Sequence, residues 1–109
     1  MTTLSTHVLD IERGAPAVGV PIALYQGEQP LAMAETNADG RIADLTGGSS
    51  LEAGSYRLVF DAAAYFARQG RAVVFLQRVS IDFQVNAADP HYHVPLLLSP
   101  YACTSYRGS

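Results

Sequence analysis

Lysine is absent from these 109 residues, and the seven basic side chains are all arginines, set against ten acids for a formal charge of −3. Such a surface attracts polyphosphate poorly, which argues against nucleic acid as a partner. Cysteine occurs once, at Cys103, so no internal disulfide can form. That excludes a disulfide-stapled secreted scaffold and fits a reducing compartment. Long apolar runs are missing too. The longest charge-free apolar stretch, about Val94 to Tyr106, is broken by Pro95 and Pro100. It falls short of the ~20 residues that span a bilayer, so no membrane partner is expected. The first residues carry no positive region followed by an apolar run, and the last three are not of the Ser-Lys-Leu type. A cytoplasmic protein is therefore expected. Charged residues are also sparse, at 16% against 49% hydrophobic, which excludes disorder. At roughly 150 residues per domain, residues 1–109 are expected to form one domain.

Turn signals recur at short intervals: Gly14-Ala15-Pro16, Gly27-Glu28, Asn37 to Gly40, Gly47 to Ser50, Gly54-Ser55, Gly70 and Asp89-Pro90. Short alternating segments lie between them, the pattern of an all-β sandwich or barrel. Eight strands are predicted: Leu4–Asp10, Val20–Gln26, Leu31–Thr36, Arg41–Leu45, Ser55–Phe60, Ser80–Val85, His91–Ser99 and Ala102–Arg107. One segment departs from the pattern. Asp61 to Gly70 opens on an N-cap residue, continues in helix formers and closes on glycine, which predicts a short helix. The fold class is thus mainly β, a two-sheet antiparallel sandwich with one short helix.

Strand parity assigns faces. Leu4, Thr6 and Val8 share the face expected to meet the core, so Thr3, Ser5, His7 and Leu9 point away. Tyr92, Val94, Leu96 and Leu98 form a second apolar face, so His91, His93, Pro95 and Leu97 point away. An outward face carrying imidazoles beside apolar groups suggests cover by another subunit. Pro95 cannot donate to a ladder and is expected at an edge, a bulge or a strand end.

Two motifs bear on function: Leu4-Ser5-Thr6-His7-Val8-Leu9-Asp10 with Gly14-Ala15-Pro16-Ala17, and the run from His91 to Ser109 that ends in Tyr106-Arg107-Gly108-Ser109. Together with Thr36-Asn37-Ala38-Asp39-Gly40-Arg41, they resemble the 5-hydroxyisourate hydrolases, transthyretin-like enzymes of purine catabolism. The resemblance covers essentially the whole chain. It implies a transthyretin-like sandwich assembled as a homotetramer, a dimer of dimers with active sites along the channel between the dimers. It implies His7, Arg41 and His93 as the catalytic set, with His7, Arg41 and Tyr106 contacting a purine-derived small molecule. It also implies hydrolysis of 5-hydroxyisourate to 2-oxo-4-hydroxy-4-carboxy-5-ureidoimidazoline, without metal or organic cofactor. The family commonly has Tyr-Gly-Tyr-Ser-Thr before the terminal tetrapeptide, whereas this chain has Tyr101-Ala102-Cys103-Thr104-Ser105.

The residue types suit that chemistry. Imidazole is the side chain best placed to move protons near neutrality. A guanidinium is a permanent cation with a planar fork. A phenol can donate or accept at a ring edge. His91 reads as structural or solvent-facing, Arg107 and Ser109 as ordering the terminus or touching substrate, and Cys103 as a packed thiol. Two other classes stay open. His91-x-His93 with His7 could form a zinc site, and a transthyretin-like chain could carry a small ligand without chemistry.

Overall fold

The computed structural model describes residues 2–71 and 75–109. Its strands are β1 (Thr3–Asp10), β2 (Ala15–Pro16), β3 (Pro21–Gln26), β4 (Gln29–Glu35), β5 (Arg41–Ile42), β6 (Gly54–Phe60), β7 (Val79–Val85), β8 (His91–Leu98) and β9 (Cys103–Ser105), and its helix is α1 (Ala62–Arg68). One sheet runs β2-β1-β8-β9 with β5 also paired to β1, and the other runs β4-β3-β6-β7. The two-sheet sandwich expected from the sequence is therefore present, built mainly from antiparallel pairs. One pair departs from the expectation. β1 and β8 run parallel along their full length, from Thr3↔His91 to Asp10↔Leu98. Some eighty residues separate them, so no tight turn dictates an antiparallel approach.

The core lies where parity put it. Leu4, Val8, Leu96 and Leu98 of the first sheet are fully buried, as are Leu24, Leu58 and Phe60 of the second. Alternation makes this possible, since β1 buries every second side chain and leaves the others half-exposed. Thr6 is the polar residue on that inner face, and its hydroxyl donates to the Val94 carbonyl at 2.7 Å. The helix begins as predicted. Asp61 accepts from the Ala64 N–H at 3.0 Å, and Ala62, Tyr65 and Phe66 are buried against the sandwich.

Three of the differences from expectation have local reasons. β2 is unpredicted; its two residues pair with the end of β1. β5 ends at Ile42 instead of Leu45, because the Asp44 carboxylate accepts from the Thr46 N–H and the Gly48 N–H and closes a turn. β9 covers Cys103–Ser105 instead of running to Arg107. Leu96 pairs with Ser105, and an isolated bridge joins His93 to Gly108, so the register carries Pro95 opposite Tyr106. Proline has no N–H to donate there, and the Ser105 hydroxyl takes the Pro95 carbonyl at 2.8 Å instead. Pro95 thus sits inside β8, facing a gap in the β9 ladder. Cys103 is exposed on the edge strand β9, so it is not the packed thiol that the sequence suggested.

Candidate active site

The outward face of the first sheet gathers the predicted residues. In β1 and β5, His7 and Arg41 are direct cross-strand partners. Such partners place their Cβ atoms about 5 Å apart. In β1 and β8, Ser5 is level with His93 and His7 with Pro95. His93 therefore stands one step along the sheet from His7. His7 and His93 are half-buried, and Arg41 is exposed. The His93 ring is pulled below the usual imidazole range, first by burial and then by the positive charges of Arg41 and the other two histidines. It is thereby kept neutral, with a lone pair to use.

Arg41 owes its place to the turn before it. The Asn37 side-chain oxygen accepts from the Asp39 and Arg41 N–H groups at 2.9 and 3.0 Å. The Gly40 carbonyl accepts from Val8 N–H at 2.7 Å, which docks the turn onto β1. Gly40 has φ +73°, and a Cβ there would lie 2.5 Å from the Val8 carbonyl oxygen. Only glycine fits that backbone at that distance.

The terminal tetrapeptide reaches the site through a residue that sequence reasoning did not single out. Gly108 N–H donates to the His93 carbonyl at 2.7 Å. A Cβ on Gly108 would lie 2.6 Å from His93 Cδ2, so the glycine is pressed against one edge of the ring. The opposite ring nitrogen, Nδ1, lies 2.7 Å from Ser5 Oγ. His91, read as structural or solvent-facing, is exposed but also bonded, 2.8 Å from Ser5 Oγ through Nε2 and 2.5 Å from Thr3 Oγ1 through Nδ1. The alternation of hydroxyls and imidazoles on the outward faces of β1 and β8 was visible in the sequence. The pairing that joins them was not.

The strand register carries Tyr106 opposite Pro95, itself level with His7, at the edge of this face. Tyr106 is exposed and lines an apolar cleft with Phe83, Tyr92 and Val94, which lie on the inner side of the sheets. Arg107 orders the terminus: its guanidinium lies over the Tyr92 ring, 4.3 Å from the centroid. Among the described residues, no three His, Cys, Asp or Glu side chains are grouped to hold a metal ion. No described helix is long and apolar enough to cross a membrane.

Residues 4–108 match the model of the HIUase/Transthyretin family. The chain belongs to that family. The 5-hydroxyisourate hydrolase of Caulobacter vibrioides is 47% identical, with all of both chains covered. The structure of the Klebsiella pneumoniae 5-hydroxyisourate hydrolase superposes with a TM-score of 0.91 at 46% identity, again over all of both chains. Sea bream transthyretin in complex with thyroxine has a TM-score of 0.86 at 29% identity, covering 97% of this chain and 94% of that one. Both branches of the family thus share the sandwich, and the family member described here is nearer in sequence to the hydrolases.

Proposed function

We infer that this chain is an enzyme that hydrolyses 5-hydroxyisourate to 2-oxo-4-hydroxy-4-carboxy-5-ureidoimidazoline in purine breakdown. The observation that carries the reading is the cross-strand cluster of His7, Arg41 and His93 on one outward face. A neutral imidazole takes a proton from water as its oxygen bonds to a ring carbonyl carbon. Negative charge then gathers on the carbonyl oxygen, where the Arg41 guanidinium opposes it. As the carbonyl re-forms and the C–N bond breaks, the second imidazole gives a proton to the leaving nitrogen, and the proton held by the first imidazole replaces it. His7 and Arg41 also bind the substrate, and no metal or organic cofactor takes part. Tyr106, exposed and opposite Pro95 in the register, contacts the substrate from the edge of this face.

The reading takes residues 1–109 as one domain, acting in the cytoplasm as a homotetramer. Its support is the outward face itself, where Leu97 and two imidazoles are only half-exposed in the single chain. Carriage of a small ligand without chemistry is the weaker reading, because the hormone-bound relative is much less similar than the hydrolases.

Ultraviolet monitoring of freshly generated 5-hydroxyisourate tests the proposal. The wild-type chain should speed its decay. His7→Ala and His93→Ala should each lower turnover by about 10²–10⁴, the usual range for acid–base catalysis. Both variants should stay folded, since neither ring lies in the core. Near-normal turnover in both would remove the acid–base role.

A further inference from the structure

Three side chains outside the His7–Arg41–His93 set are tied to it by an unbroken line of hydrogen bonds. Thr3 Oγ1 lies 2.5 Å from His91 Nδ1. The other nitrogen of that ring lies 2.8 Å from Ser5 Oγ, which is 2.7 Å from His93 Nδ1. The register accounts for the line. Thr3 is level with His91 and Ser5 with His93, so hydroxyls and imidazoles face one another across the parallel pair. Both nitrogens of the exposed His91 ring are engaged, which a merely solvated histidine does not require.

Ser5 has a single hydroxyl proton, so at most one of the two imidazoles can present a lone pair to it. The proton positions of the two rings are therefore linked. In one direction His93 Nδ1–H donates to Ser5, Ser5 donates to His91 Nε2, and His91 Nδ1–H donates to Thr3. Every donor then meets an acceptor, and His93 Nε2 keeps its lone pair. In the other direction Thr3 donates to His91 Nδ1, His91 Nε2–H donates to Ser5, and Ser5 donates to His93 Nδ1. His93 then carries its proton on Nε2. Two features select the first direction. Arg41, a permanent cation, shares the face with the ring and favours a lone pair over an N–H at the exposed nitrogen. The imidazolium formed when Nε2 gains a proton must donate through Nδ1, and in the first direction it already does so without any hydroxyl turning.

We propose that Thr3, Ser5 and His91 are positioning residues that hold His93 as its Nδ1–H tautomer, leaving Nε2 bare as the base. The proposal rests on the reading of His93 as a proton acceptor for the hydrolysis. No proton travels along the line; each hydroxyl keeps its own and only fixes its direction. The structural result is a histidine whose partner sets its tautomer, as a carboxylate does elsewhere.

Long-range proton–nitrogen NMR on the nitrogen-15-labelled full chain reads the tautomer directly. The chain has three histidines, so comparison with single variants assigns each ring. Above the pH range in which imidazole is charged, His93 should carry its proton on Nδ1. Ser5→Ala and His91→Phe should move that proton toward Nε2. Each should lower kcat about 10- to 100-fold with KM little changed, the usual cost of removing a partner that orients a working histidine. Ser5→Thr should keep the Nδ1–H tautomer and most of the turnover. A wild-type His93 protonated on Nε2, or a tautomer unmoved in both Ser5→Ala and His91→Phe, would overturn the proposal. The spectrum needs no substrate, so an inert wild-type protein would sink the hydrolase reading without deciding the tautomer.

Discussion

Gly108 shows how much one missing side chain can matter. Its hydrogen lies against the His93 ring edge, where a methyl group would come within 2.6 Å of Cδ2. Alanine there forces the ring away from Ser5 or pulls the terminal segment off β8. Gly108→Ala should therefore leave the melting temperature near wild type, because the segment lies outside the core. Turnover should fall by about 100-fold, as expected for a working group displaced by an ångström. Stopped-flow decay of 5-hydroxyisourate checks it, and wild-type turnover would mean the ring tolerates the displacement. At this scale parity alone identified which faces His7 and His93 occupy. The partnership of Ser5 with two imidazoles was not legible, because 86 and 88 residues separate the bonded groups. Their meeting depends on the register of β1 against β8, which no local pattern records. The terminal tetrapeptide stood out in the sequence through Tyr106, yet Gly108 is the member that touches His93.

Among the elements, the turn that delivers Arg41 is the most constrained. Gly40 combines a left-handed backbone with contact against the Val8 carbonyl. Gly40→Ala should destabilise the fold by roughly 1–3 kcal/mol from backbone strain, with further loss if Gly40 and Val8 part. The His7–Arg41 pairing would loosen with it, so kcat should fall as well. Urea unfolding and steady-state kinetics on the same preparation test both halves; an unchanged unfolding midpoint would contradict the packing argument. The turn itself was readable from Asn37 to Gly40, since asparagine and glycine there have specific geometric uses. The strand after it was read too long, because the Asp44 side chain captures the following amides. β9 was also read too long. Alternation in Ala102–Arg107 is a property of one segment, whereas the break is caused by a proline on the neighbouring strand.

For the whole molecule, buried and half-buried titrating groups set the acid limit, Asp10 and His93 among them. Asp10 is fully buried. Burial pushes its carboxyl up, but Arg71 at 2.5 Å, the Tyr65 hydroxyl at 2.8 Å and the Arg13 N–H together hold it below the usual 3.8. A carboxylate lowered by folding stabilises the native state above its unfolded value, and that support is lost as pH falls through its folded value. His93 works in a higher window. Its folded value lies below 6.5, so between the two values the unfolded chain binds a proton that the folded chain does not. Stability should therefore decline first as pH drops below about 6.5 and again below about 3.8. Denaturant midpoints across pH should show both stages, and His93→Gln should remove only the first. Arg71→Met should weaken the fold at neutral pH by somewhat less than the ~3–5 kcal/mol of breaking a buried pair, since Tyr65 and backbone amides still hold Asp10. A midpoint flat from neutrality to pH 4 in the wild type would refute the histidine contribution. The assembly prediction also belongs here. Multi-angle light scattering should find the mass of a tetramer, and a stable, fully active monomer would overturn the subunit-covered face.

Sequence alone determined the alternating faces, the short capped helix, the sandwich class and the family, because each depends on residues close together along the chain or on motifs carried whole. Only the tertiary structure decided the parallel pairing of β1 with β8, the meeting of His7 with Arg41, and the line from Thr3 to His93. These arise where strands distant in sequence share hydrogen bonds. A slip of β8 by one residue would turn His91 and His93 to the face opposite His7. That register is chosen by the combined burial of both sheets, so no single segment could have announced it.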